Sequence, residues 1–263
     1  MMNHMKVSVL LVLMAFLCPS QSGAACVRTY TVGVLKDSPY YTKAPRVQAT
    51  GLVPDLLTEI RKRLGCPFQE VPLNYVRALE EFKGQRLDLF AFTYINSDWL
   101  EFAEHKVVFS SERVLLVKKS AYRKKGALGD YLQDSKFKFG NLIGAVMFFQ
   151  PREFEKLSKE NRIVQSSTAE GVFQLLATGR VQGVFITPLF LRNLQAKPGF
   201  SNDFEAIDDP KTVLDIGIYI SKRRFSKEES TQLKKVIDEM RADGTVRSIL
   251  GKYVPAADLK RYN

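Results

Sequence analysis

An apolar run from Val7 to Cys18 follows one basic residue, Lys6, and gives way to small and polar residues over 19–25. That order is the pattern of a secretory leader, with cleavage expected after Ala24 or Ala25. The run falls short of the roughly 20 apolar residues that a spanning helix needs. Gly23, Ala24 and Ala25 before Cys26 lack the branched apolar residue of a lipidation box. The sequence therefore predicts a soluble exported protein with residues 1–25 removed and no stable membrane insertion.

Beyond the leader, apolar periodicity alternates between two and 3.6 residues. Thr31 to Leu35 is a β-branched run that predicts a strand and leads into the turn-rich Lys36, Asp37, Ser38, Pro39, Tyr40, Tyr41. Leu52, Leu56, Leu57, Ile60 and Leu64 then share one helical face, with Gly65 as C-cap and Pro67 as stop. Phe68 to Leu73 predicts a strand, Tyr75 to Lys83 a helix, and Leu87 to Phe92 a strand. Strand-helix-strand-helix-strand is a βαβαβ unit on a parallel sheet. Trp99 to His105 reads as the start of a short helix, and Phe109 to Lys118 as a long strand.

The second half repeats this order. Lys136 to Leu142, Ile163 with Val164, and Val181 to Ile186 predict strands; Pro151 to Glu160 and Ala169 to Thr178 predict helices. A glycine followed by polar residues leads into a strand twice, at Gly84 and at Gly179. Val213 to Ile220 predicts a strand, Lys227 to Ala242 a helix with Ser226 as N-cap, and Val246 to Lys252 a last short helix.

Charge and cysteines change this picture little. The formal net charge is +11, and removal of Lys6 with the leader leaves +10. Basic runs such as Lys118, Lys119, Arg123, Lys124 and Lys125 lack interleaved aromatics, so they read as a solvated face and argue against nucleic-acid binding. Cys18 leaves with the leader. Cys26 and Cys66 remain, and in an oxidising compartment they suggest one disulfide tying the first strand to the end of the first helix, the alternative being two free thiols.

Ligands of open α/β sheets collect at the carboxyl ends of strands. That rule selects Ser38 to Tyr41, Thr93 to Trp99, Asn141 to Gln150, and Thr187 with Pro188. The clusters hold Tyr40, Tyr41, Tyr94, Trp99, Phe148 and Phe149, and aromatic walls with a few polar atoms are the usual lining of a small-molecule cleft. For each ring the alternative is ordinary packing. Catalytic signatures are scarce: one histidine, His105, remains after the leader, beside Glu104 and Lys106 in what reads as a surface helix or loop. There is no nucleophile elbow, no zinc set, no dinucleotide fingerprint and no phosphate loop. No metal or cofactor is expected.

Val32-Gly33-Val34 before Ser38-Pro39-Tyr40, Gly51-Leu52-Val53-Pro54-Asp55-Leu56, and Gly84-Gln85-Arg86-Leu87-Asp88-Leu89 occur in this order. Phe109-Ser110, Gly179-Arg180-Val181, Gly217-Ile218-Tyr219-Ile220-Ser221-Lys222, and Asp243-Gly244-Thr245 with Lys252-Tyr253 follow. In this order of motifs, residues 28–254 resemble the family-3 extracellular solute-binding proteins, the periplasmic receptors of ABC importers for polar amino acids. The resemblance implies an α/β fold of the type II periplasmic binding protein kind: two α/β lobes joined by a two-crossing hinge, with the ligand cleft between them. Mapped here, residues 26–110 plus 222–263 form lobe 1 and 111–221 lobe 2, with crossings near Ser110 and Ser221. It further implies a periplasmic monomer that captures a small polar or zwitterionic, amino-acid-related molecule for an inner-membrane ABC permease. A sensory or interaction protein that has lost transport, and a prephenate or arogenate dehydratase-like enzyme, are the alternatives on the same fold.

The departures from the family pattern concern the ligand. Where amino-acid receptors carry Thr-x-Thr-x-x-Arg, whose arginine clamps a carboxylate, this chain reads Thr93, Tyr94, Ile95, Asn96, Ser97, Asp98. Gln182 replaces a common aspartate after Gly-Arg, and Thr187 stands near the place of the family's amine-binding aspartate. The expected ligand contacts are Tyr40, Tyr41, Thr93, Tyr94, Asp98, Trp99, Phe148 and Thr187. Arg77 or Arg113 would replace the missing clamp for an acidic ligand, while Asp98 reads alternatively as a helix N-cap.

Overall fold

The computed structural model describes residue 26 and residues 28–36, 38, 40–124, 126–145, 148–196 and 203–263; the expected leader lies outside the described residues. The first lobe builds β1 (Tyr30–Leu35), α1 (Leu52–Leu64), β2 (Phe68–Leu73), α2 (Tyr75–Lys83) and β3 (Leu89–Tyr94). β1 lies between β2 and β3, parallel to both, as right-handed βαβ units require. Pro72, which cannot donate to a ladder, is accommodated because β2 is an edge strand. The second lobe contains α3 (Leu128–Gln133), β5 (Phe139–Leu142), α4 (Pro151–Lys159), β6 (Ile163–Ser166), α5 (Ala169–Ala177), β7 (Gly183–Ile186) and α6 (Pro188–Gln195), with β5 parallel to β6 and β7. α7 (Lys227–Ala242) and α8 (Thr245–Leu250) return to the first lobe, where Leu233, Ile237 and Met240 join the core beneath α1.

Two long antiparallel strands, β4 (Ala103–Lys118) and β8 (Phe204–Ser221), run through both lobes and join them in one sheet of order β2-β1-β3-β8-β4-β7-β5-β6. Ile216–Ile220 of β8 pairs with β3, while 204–209 pairs with the half of β4 that faces β7. The β4–β8 register slips between Glu112 and Arg113, where Val213 and Asp209 become successive partners. Ser221 ends β8, with its N–H on the carbonyl of Asp88. Gly217 is required by the close approach: a Cβ there would lie 2.0 Å from the Lys106 carbonyl oxygen.

β4 begins earlier than its apolar run suggests. Trp99 to His105 is no helix: a single 3-10 turn at Ser97–Trp99 is followed by strand from Ala103, so His105 is a half-buried strand residue and not a surface helix or loop. Its Nε2 meets the Thr93 carbonyl at 3.3 Å, its ring packs on Tyr219, and burial lowers its pKa against the effect of that hydrogen bond. α3 and α6 fall in segments whose short apolar runs predict no helix.

Three features hold the frame. Cys26 and Cys66 form the disulfide, joining the segment ahead of β1 to the end of α1. Fully buried Asp88 accepts hydrogen bonds from Arg28, Arg224 and the Thr31 hydroxyl and N–H, each at 2.7 Å. Burial works to raise this carboxyl, but those hydrogen bonds outweigh it and hold it well below the usual carboxylate range. The segment 255–263 then crosses back to β4 and β8: Asn263 and Ser110 exchange backbone hydrogen bonds, and Arg261 binds Glu112 on β4 and Asp208 on β8. Tyr262 takes the Leu189 N–H on its hydroxyl at 2.8 Å, and Asp258 pairs with Arg192 of α6.

Candidate functional site

A cavity of about 120 Å³ lies where the carboxyl ends of β1, β3, β5 and β6 converge, as the strand-end rule for open sheets predicts. The first lobe contributes Leu35, Ser38 and Tyr40 after β1, Tyr75 at the start of α2, and Phe92, Thr93 and Tyr94 of β3. The second contributes Leu142, Ala145 and Phe148 after β5, Ser167, Thr168 and Ala169 after β6, and Phe190 on α6.

β3 delivers its residues through a bulge. Its register against β8 slips between Ala91 and Thr93, and Phe92 takes a φ of +53°, a conformation that a bulky side chain adopts only when its surroundings impose it. The bulge leaves Phe92 and Thr93, both buried, as successive lining residues, where a regular strand would turn one of them to the other face. Thr93 is 1% exposed, and its Oγ1 has no hydrogen-bond partner among the described residues. A buried hydroxyl without a partner carries an unrecovered desolvation cost, which a ligand in the cavity can recover.

The lobes meet across this cavity through side chains. The hydroxyls of Tyr40 and Thr187 are hydrogen-bonded, with the Tyr94 hydroxyl in the same cluster. Thr187 also caps α6 by accepting the Phe190 N–H. Burial pushes both tyrosine pKa values up, so these phenols stay neutral donors. Tyr94 and Phe148 pack at 4.9 Å between ring centroids, and the Tyr75 hydroxyl reaches the Gly144 carbonyl at 3.4 Å. The Asn141 amide, which donates to the Ala145 carbonyl at 2.8 Å, shapes the loop between them.

The structure thus brings Tyr40, Thr93, Tyr94 and Phe148 together on the cavity, with Thr187 against Tyr40. It places the other expected contacts elsewhere. Trp99 is 2% exposed and packed in the first lobe's second core on Phe90 and Tyr219. Tyr41 is buried against the α1 core. Asp98 is solvent-exposed, and the side chain that caps its turn is Asn96, which accepts the Asp98 N–H. Neither arginine is a free clamp. Arg77 sits exposed on α2 between Glu80 and Glu81, neutralised along its own helix. Arg113 is 1% exposed and bound to Asp209 at 2.6 Å, to Glu153 at 3.2 Å and to the Phe148 carbonyl at 2.5 Å, over the face of Phe185. Phe149 belongs to the second lobe's core. Tyr75, Ser167 and Thr168 escaped the sequence reading, although the same strand-end rule applied to β2 and β6 selects them. Phe190 carries no such signal, because α6 itself was not legible.

Among the described residues no group of histidine, cysteine, aspartate and glutamate side chains could hold a metal ion. No described helix is long and apolar enough to cross a membrane.

Two α/β lobes on a shared pair of strands, with an interlobe cavity at the strand ends, define a receptor of the type II periplasmic binding protein fold. Residues 30–256 match the family described as bacterial extracellular solute-binding proteins, family 3, and the chain belongs to it. No curated protein sequence is similar enough to match the chain. Among solved structures, an ancestral arginine-binding protein bound to glutamine is 20% identical with a TM-score of 0.68, the match covering 86% of this chain and 97% of that one. A mutant of ArgBP from T. maritima is 18% identical with a TM-score of 0.66 over 86% of this chain and 94% of its own. A histidine kinase sensor domain with similarity to periplasmic binding proteins gives a TM-score of 0.72 at 13% identity, covering 87% and 96%.

Proposed function

We propose that this protein is a periplasmic receptor that closes its lobes on a small organic solute and presents the closed form to an ABC permease, with no reaction of its own. The observation that carries the reading is the cavity between Tyr40, Thr93 and Tyr94 of one lobe and Phe148 and Phe190 of the other. A site shared between lobes gains its full contact set only on closure, so ligand binding favours the closed state by its differential affinity for it. The hinge in this reading is 110–113 on β4 with 209–215 on β8, which assigns the β3-paired part of β8 to the first lobe and moves the second crossing away from Ser221.

Native mass spectrometry of the freshly purified protein, paired with small-angle scattering before and after ligand removal, tests this. A stoichiometric small molecule whose removal raises the radius of gyration supports the reading. A protein that neither carries a solute nor changes dimensions with any of a broad set of amino acids, amines, acids and aromatics refutes it. The likeness to a kinase sensor domain favours one second reading, capture of the same solute for signalling. Co-purification with a permease complex or with a sensor kinase separates the two.

A further inference from the structure

The cavity's chemistry differs from that of a site built for an amino acid, and the difference can be argued group by group. An α-amino acid brings a carboxylate and an ammonium, and each needs an opposing charge once water is excluded, because an unpaired ion in a dry site is heavily penalised. No described side chain lining this cavity is charged. The two arginines expected as clamps are engaged elsewhere, Arg77 with Glu80 and Glu81, Arg113 with Asp209 and Glu153, and Arg192, two residues from the lining Phe190, pairs with Asp258. The described features here that favour an anion are the amino ends of α2, α5 and α6, which border the cavity through Tyr75, Thr168 and Phe190, and in α2 and α6 the Arg77 and Phe190 N–H groups are already taken by the Asn74 and Thr187 side chains. In α5 the Gly171 N–H is likewise taken by the Thr168 side chain, and a helix terminus offsets only a small part of a carboxylate's desolvation.

What the cavity does offer is rings and uncharged hydroxyls. Tyr40, Tyr75, Phe92, Tyr94, Phe148 and Phe190 wall it. Its volume of about 120 Å³ is close to that of an engineered apolar cavity of about 150 Å³ that takes up benzene. Thr93 Oγ1, buried and without a partner among the described residues, faces it from the strained bulge of β3.

We propose that the captured solute is an uncharged, single-ring aromatic molecule bearing one hydrogen-bonding group, bonded to Thr93 Oγ1, and not an α-amino acid. The proposal rests on the solute-capture reading and narrows it. Ring faces supply the apolar contact, and the single polar group of the solute satisfies the Thr93 hydroxyl, which among the described residues lining the cavity is the buried one without a partner.

Calorimetric titration of the full mature protein tests this with p-cresol as probe, p-toluate and 4-methylbenzylamine as its charged counterparts, and L-arginine, L-lysine and L-glutamine as amino acids. p-Cresol is expected to bind at least 100-fold more tightly than any charged probe. Thr93→Val is expected to weaken p-cresol about tenfold and Thr93→Ser to restore it, with thermal melts confirming that both variants fold. Tighter binding of an amino acid or of p-toluate overturns the proposal while leaving solute capture intact. Binding of p-cresol that is indifferent to Thr93→Val overturns the assigned anchor. If no probe binds to a cooperatively folded protein, and none copurifies, the proposal and the capture reading both fall.

Discussion

Arg113 separates two views of this site, because the sequence casts it as a carboxylate clamp and the structure as a strut. Its guanidinium is spent on Asp209, Glu153 and the Phe148 carbonyl, beneath which it stacks 4.1 Å from the Phe185 ring centroid. Arg113→Met keeps most of the side-chain volume but strands Asp209, which is itself only 7% exposed. Removing one partner of a buried ion pair costs about 3–5 kcal/mol. At about 2–4 °C per kcal/mol for a protein of this size, Tm should fall on the order of 10 °C. The double variant Arg113→Met with Asp209→Leu replaces the pair by apolar groups and should recover at least half of that loss, the coupling that contact predicts. Melts followed by circular dichroism at pH 7 measure all three proteins. The reasoning is refuted if Arg113→Met melts within about 2 °C of the parent and loses affinity for carboxylates instead.

The Asp88 carboxyl has a folded pKa below the unfolded value of about 3.9, so its stabilisation is complete above that value and is lost as pH falls toward the folded pKa. Asp88→Asn should therefore be less stable than the parent at pH 7, with the difference shrinking in urea melts repeated below pH ~4. Reduction of Cys26–Cys66, which closes a loop over a separation of 40 residues, should cost about 4 kcal/mol by the chain-entropy relation, read as a shift in the urea midpoint. Tyr262→Phe leaves the Leu189 N–H without its acceptor at a cost of about 1–3 kcal/mol. Scattering from the ligand-free variant should show a larger radius of gyration than the parent, and an unchanged one would show that this contact does not hold the lobes together.

Much of the fold was legible because it is written in local patterns. α2 and α7 begin and end where the apolar pattern predicts, α7 behind its expected cap Ser226, while the Asn74 cap of α2 and the part of Glu229 in the α7 cap came from the structure. β4 and β8 were read short, since their polar halves, such as Glu104 to Lys106 and Glu205 to Asp209, look like loop until the partner strand pairs them. The site divided along similar lines. Strand-end position found Tyr40, Thr93, Tyr94 and Phe148, but it cannot tell which way a side chain faces. Trp99 follows Thr93 by six residues, yet the 3-10 turn carries it into the core of Phe90 and Tyr219. Arg113 looked available because its partners, Asp209 and Glu153, are 96 and 40 residues away. The bulge at Phe92, which brings Thr93 to the cavity, depends on pairing with β8 and leaves no mark in the sequence of β3 alone.

The return of segment 255–263 to the hinge governs how this protein can be instrumented. Asn263 is hydrogen-bonded to Ser110, inside the hinge proposed above, so a fluorophore or fused domain joined to it would sit beside the proposed rotation axis. A dye there would travel little as the lobes open and would report closure poorly. A bulky fusion at the same point would press on the backbone pairing with β4 and bias the equilibrium it was meant to record.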